Sequence, residues 1–283
     1  MLFADIKGSM ELLGDRDPEE ARNLIDPVID QIMDAVHRFE GTVNHVMGDG
    51  IMAIFGAPLA HEDHAVRACY AALAMQSAIR GYSEQLRRSY GIEIQLRVGL
   101  NSGGVVVGAI GNDLHMEYSA IGQTTHLAAR MEQLATPGTV RLTAFTLGLA
   151  EGFIQVSALG PMPVRGLNEP IEVYELKGVS GLRTRMQAAA ARGLTRFVGR
   201  QAELDTLAQA LRQANEGHGQ VVALVGEPGV GKSRLIWEFT HSHRTHGWLA
   251  LESGSVSYGK ATAYRPLIDL LKTYFRIEER DEA

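Results

Sequence analysis

A chain of 283 residues is long enough for about two domains. Hydrophobic content of 45%, charged content of 21% and a net charge of −6 describe a globular protein with no general attraction to nucleic acid or to an anionic membrane. The single cysteine, Cys69, excludes an intrachain disulfide. No apolar run reaches the roughly 18 residues of a membrane-spanning helix, so a cytoplasmic setting with no membrane or nucleic-acid partner is expected.

From the N-terminus, Leu2-Phe3-Ala4-Asp5 reads as a strand whose C-terminal end carries Asp5. No signal peptide precedes that strand. Residues 9–40 read as helical. Asp17-Pro18-Glu19-Glu20 is a start signal, with a capping Asp, a first-turn Pro and acids at the positive end of the helix dipole. The stripe Ile25, Val28, Ile29, Ile32, Met33, Val36 and Phe39 keeps helical spacing, and Gly41 ends it. Thr42–Met47 and Ile51–Phe55 form a hairpin with Asp49 in its Gly-Asp-Gly turn.

His61-Glu62-Asp63-His64 opens a second long helix that runs to about Tyr90. Ile92–Leu100 alternates as a strand, Asn101–Gly104 turns, and Val105–Ile110 is a strand. Gly122–Leu134 reads as a helix, Thr139–Thr143 as a strand and Ala144–Gly152 as a short helix. Two strands follow within 153–179. Helices interleaved with hairpins predict an α+β domain of ferredoxin-like type. Leu182–Gly193 reads as a linker helix. Phe197-Val198-Gly199-Arg200 precedes an amphipathic helix, and Val221–Val225 is an apolar strand.

Asp5 and Asp49 on adjacent strand ends suit a hard cation. Mg²⁺ takes oxygen ligands, commonly one or two carboxylates, with substrate phosphates completing its shell. Taken singly, Asp5 also suits a helix cap and Asp49 a turn. The stretches LFADIKGS, MGDGIMAIFGAP, LRVGLNSGGVVVGAIG and YSAIGQTTHLAARMEQLA, in that order, resemble the class III nucleotide cyclase catalytic domain over residues 1–178. The resemblance implies two divalent ions, Mg²⁺ or Mn²⁺, held by Asp5, Asp49 and the Ile6 carbonyl. It also implies a homodimer whose site draws its metals from one copy and Arg130 from the other. The reaction implied is closure of ATP to 3′,5′-cyclic AMP with release of pyrophosphate.

Three positions depart from that family. His45 stands where a base-contacting lysine is usual, and Ser119 where an aspartate often reads the adenine amino group. His126 replaces the transition-state asparagine one helical turn before Arg130. Histidine can donate hydrogen bonds as lysine and asparagine do, but its charge varies near neutrality.

The run Gly226-Glu227-Pro228-Gly229-Val230-Gly231-Lys232-Ser233 matches G-x-x-x-x-G-K-[ST], after an apolar strand and before a helix. Its backbone N–H groups suit the phosphates of ATP, with Lys232 on the β- and γ-phosphates and Ser233 on Mg²⁺. The sequence before it resembles ATPase modules found behind such cyclases. No acidic strand end follows residue 233, so 197–283 reads as the N-terminal part of an incomplete α/β P-loop NTPase domain, after a linker at 179–196. The expected function is an adenylate cyclase in intracellular signalling, with an appended ATP-binding module and an upstream regulator that the sequence does not identify. The alternative is a cyclase-like ATP-binding regulatory protein with weak or no turnover, favoured by His45 and His126. A P-loop scaffold that uses the cyclase fold to dimerise is a third.

Overall fold

The computed structural model describes residues 1–7, 17–110, 117–180, 185–227, 229–254, 264–275 and 277. The expected helix over 9–16 and Pro228 lie outside them. The chain divides into two compact units, Met1–Gly181 and Leu182–Ala283.

The first unit is built on a seven-stranded mixed sheet. Its strands are β1 (Leu2–Lys7), β2 (Thr42–Met47), β3 (Gly50–Ile54), β4 (Gln95–Leu100), β7 (Val140–Thr143), β8 (Ile154–Met162) and β9 (Ile171–Val179). Their order is β2-β3-β1-β4-β7-β9-β8. Only β4 and β7 run parallel among the paired neighbours. β5 (Val106–Ile110) and β6 (Glu117–Ile121) pair with each other as a separate two-stranded ribbon.

Side-chain alternation sorts the two faces of the sheet. Leu2, Ala4 and Ile6 of β1 and Leu96, Val98 and Leu100 of β4 enter the main core. There they meet Val28, Ile32 and Val36 of α1 (Pro18–Arg38) and Cys69, Ala72 and Met75 of α2 (His64–Tyr90). Phe3 and Asp5 therefore point to the opposite face. That face carries α3 (Gln123–Leu134), whose Ala128 packs with Met1 and Ile54. A short α4 (Ala144–Ala150) follows β7.

The capping signal of α1 is realised: the Asp17 carboxylate accepts from the Glu19 amide at 2.9 Å. Its end differs from the expectation. Glu40 takes the left-handed turn, with φ 58°, and Gly41 serves packing, because a Cβ there would lie 2.6 Å from the Phe55 ring. The strand expected at Ile92–Leu100 begins only at Gln95.

In the second unit, α5 (Arg185–Ala191), α6 (Gln201–Asn215), α7 (Lys232–Thr240) and α8 (Arg265–Phe275) are helical. The apolar run at 221–225, expected as a strand, has no ladder partner among the described residues. Val221 and Val225 are 100% and 94% exposed. An apolar run becomes a strand only when a neighbour accepts its hydrogen bonds.

Candidate active site

β1 and the β2–β3 hairpin bring Asp5 and Asp49 together. Asp5 is the register partner of Gly50, and the Ile6 amide donates to the Asp49 carbonyl at 3.1 Å. Gly50 makes room at this point: a Cβ there would lie 2.6 Å from the Ala4 carbonyl and 3.2 Å from Asp5 Oδ1. Burial pushes the Asp5 carboxyl up; the Arg97 hydrogen bond opposes this, and the Asp49 charge adds to it. Two half-buried carboxylates in each other's field, beside a cradle that a side chain would have filled, fit a hard divalent cation. Among the described residues no group of three or more His, Cys, Asp or Glu is set for a metal. Further ligands would come from backbone, water or a substrate's phosphates.

Sequence reasoning missed two residues here. Arg97 of β4 is the cross-strand partner of Asp5, and its Nη2 donates to Asp5 Oδ2 at 2.6 Å. The same nitrogen stands 2.9 Å from Glu132 Oε1 on α3. That second contact is an ion pair without hydrogen-bond alignment, since Glu132 Oε1 and Arg97 Nε are buried without a hydrogen-bond partner. Glu132 is pushed up to about 7, first by burial, with Arg97 opposing and the charges of Asp5 and Asp49 adding. What holds it there is Gly99, two residues beyond Arg97 on the same strand face. A Cβ on Gly99 would lie 2.0 Å from the Glu132 nitrogen and 2.3 Å from the Ala128 carbonyl. An arginine two positions before a glycine in a strand was the available signal, but it does not say which helix lands there.

His126 and Arg130 lie one turn apart on α3, on its outward side. His126 is exposed, and Arg130 donates to Gln133 on its own helix. Thr124, Ala128, Met131 and Glu132 form the buried side of that helix. His45 is exposed on β2, next to a bulge between Val43 and His45 that shifts its register. Ser119 pairs with Gly108 in the β5–β6 ribbon. Asp5, Ile6 and Asp49 are thus brought together, while Arg130 and His126 turn away from the sheet that carries them.

In the second unit the Gly226–Ser233 loop leads into α7, which starts at Lys232. Gly229 and Gly231 have φ of 84° and 90°, a region that suits glycine. The Lys232 ammonium donates to the carbonyls of Gly226 and Glu227, both at 2.8 Å. Arg200 reaches the Val230 carbonyl at 3.3 Å. Arg234 of α7 donates to the Thr195 carbonyl at 2.6 Å and lies over the Phe197 ring. Arg200 therefore ties the start of α6 to the loop, and Arg234 ties the segment before it to α7. His241 stacks on Trp237.

The mixed seven-stranded sheet with its helices has the α+β fold of nucleotide cyclase catalytic domains. The chain belongs to the adenylate and guanylate cyclase catalytic domain family, whose model matches residues 1–178, and an AAA ATPase domain model matches 196–283. Adenylate cyclase 1 of Rhizobium meliloti (strain 1021) is 28% identical over 180 residues, 63% of this chain and 27% of that protein. The chain thus spans about a quarter of the length of that relative. Among solved structures, the adenylyl cyclase CyaB of P. aeruginosa superposes with a TM-score of 0.60 at 26% identity. It is matched over 64% of this chain and 93% of its own. The guanylyl cyclase Cya2 also gives 0.60, at 29% identity, over 64% and 91%. No described helix is long and apolar enough to cross a membrane.

Proposed function

We propose that this chain is an adenylate cyclase that closes ATP to 3′,5′-cyclic AMP at a site shared by two copies, within an intracellular signalling protein. The observation that carries the reading is the division of the site: Asp5 and Asp49 converge with Arg97, while His126 and Arg130 stand on the outward side of α3. One copy would supply the acidic pair and Arg97, its partner His126, Arg130, His45 and Ser119. A two-fold dimer would then hold two such sites. Exposed Val46 and Met47 at the end of β2 and Val106 on β5 offer apolar surface for that association.

Asp5, Asp49 and the Ile6 carbonyl would hold two divalent ions, Mg²⁺ or Mn²⁺, which when bound supply charge neutralisation and lower the pKa of the ribose 3′-hydroxyl. The 3′-hydroxyl gives up its proton to solvent water as its oxygen attacks the α-phosphorus. The bond from that phosphorus to the bridging oxygen breaks, and pyrophosphate departs with its electron pair. Arg97 neutralises phosphate charge beside the acidic pair, and the partner's Arg130 does so from across the site. His126 donates a hydrogen bond to the strained phosphate in place of an amide. His45 and Ser119 face the base, where the serine hydroxyl accepts from or donates to the purine edge.

We assign the cyclase domain to 1–178, a linker to 179–196, and to 197–283 the first part of a P-loop module. In that module Gly226–Ser233 binds ATP, with Lys232 leaving its loop carbonyls for the phosphates. Catalytically weak regulation is the second reading, favoured by an exposed histidine at both position 45 and position 126. The test is to incubate the full chain with Mn²⁺ and either ATP or GTP and quantify cyclic product. Cyclic AMP in excess of cyclic GMP supports the reading. No product from either, with both nucleotides bound, favours the regulatory one.

A further inference from the structure

We propose that Glu132 is a positioning residue for Arg97. It gives the guanidinium a second anchor, so that a divalent cation takes Asp5 against weaker competition from the arginine and without expelling it from the site. The inference rests on the reading of Asp5 and Asp49 as metal ligands.

Three observations lead to it. First, a single nitrogen, Arg97 Nη2, lies between two carboxylates, 2.6 Å from Asp5 and 2.9 Å from Glu132. An arginine whose only counter-ion was Asp5 would have to be displaced by an entering cation. It would then swing into solvent or resist metal binding. With Glu132 present, a small rotation exchanges one carboxylate for the other.

Second, Glu132 cannot retreat. Its side chain is only 10% exposed, and the α3 backbone that bears it rests on Gly99 at a distance that admits no Cβ. A carboxylate fixed in this way serves as a reference point for a mobile partner.

Third, the network is incompletely matched. Glu132 Oε1 and Arg97 Nε are both buried without a hydrogen-bond partner, although the two residues are in ion-pair range. Buried polar atoms of this kind are costly when unmatched. Release of Arg97 from Asp5 lets the guanidinium align on Glu132 and leaves its outer donors for a phosphate.

The test uses four full-length proteins: wild type, Glu132→Gln, Arg97→Met and the double variant. Mn²⁺ alone is titrated and followed by electron paramagnetic resonance. Residues in one ionic network couple by about 0.5–3 kcal/mol, so Glu132→Gln is expected to weaken Mn²⁺ binding about tenfold. Arg97→Met should strengthen it, and the double variant should match Arg97→Met within about twofold. An equal loss from Glu132→Gln with and without Arg97 means that Glu132 acts only through its charge, and overturns the proposal. No loss at all overturns it too.

The same four proteins are unfolded with urea in EDTA. An Arg97–Glu132 coupling of at least about threefold in the unfolding constant is expected, and its absence contradicts the proposal whatever Mn²⁺ does. If wild type binds no Mn²⁺ that Asp49→Asn removes, the metal reading itself fails. The second anchor then stands or falls on the urea cycle alone.

Discussion

Gly99 and Glu132 approach so closely that a Cβ on the glycine would lie 2.0 Å from the glutamate's backbone nitrogen. The neighbour is helix backbone, not the end of a flexible side chain, so it cannot step aside. Gly99→Ala is therefore expected to lift α3 from β4 and to cost about 1–3 kcal/mol, as overpacking does. The same shift would draw Glu132 away from Arg97. Thermal unfolding checks the first effect, and Mn²⁺ affinity the second. Wild-type stability in this variant would contradict the packing account.

Burial, and then the charges of Asp5 and Asp49, raise Glu132 to about 7 against the opposing Arg97. An acid raised in the folded state contributes stability below its unfolded pKa and loses it as pH rises through the folded value. The window is then about 4.5 to 7 for Glu132, starting from the ordinary value of 4.5. In EDTA, wild type should lose stability relative to Glu132→Gln across that window, on the order of 2 kcal/mol. Urea unfolding at several pH values measures the difference. A difference that grows in favour of wild type with rising pH would contradict the assignment.

The sequence made the acidic pair readable because it is written locally. An apolar run ending at Asp5 and a Gly-Asp-Gly turn at Asp49 each specify their own geometry. The capping Asp17 and the long alanine-rich α2 were equally local. Arg97 and Glu132 were not readable, because one is an ordinary polar position in an alternating strand and the other a polar position of an amphipathic helix. Their meeting depends on α3 landing on Gly99, a contact between segments distant along the chain. β6 passed unnoticed for a related reason: its partner β5 forms a ribbon apart from the main sheet, and Glu117–Ile121 shows no strong alternation. The run 221–225 was apolar enough to suggest a strand, yet a strand is a property of pairs.

In the second unit, Lys232 now bonds two carbonyls of its own loop. Lys232→Ala should weaken ATP binding to the full chain by at least about tenfold, since charge-assisted hydrogen bonds contribute about 1.5–3 kcal/mol. It should leave Mn²⁺ binding at Asp5 and Asp49 unchanged. A fluorescent ATP analogue, titrated in an Asp49→Asn background, isolates the loop. Unchanged affinity in the lysine variant would contradict the assignment.

In the proposed reading His45 and His126 take the places of a base-contacting lysine and a transition-state asparagine. The pair His45→Lys and His126→Asn should raise cyclase activity by about tenfold or more, since a single lost transition-state donor costs about 10²–10³. A double variant no faster than wild type would place the histidines away from substrate or give them a proper role in the reaction.

The division of the site between two copies is tested most directly by mixing two inactive variants. Asp49→Asn lacks a metal ligand, and Arg130→Ala lacks the outward arginine. After exchange at equal concentration, half the dimers are mixed and each holds one intact site. The account predicts cyclic AMP formation at about a quarter of the wild-type rate, with neither variant active alone. An active wild type whose mixed variants stay silent, despite demonstrated exchange of chains, would contradict it.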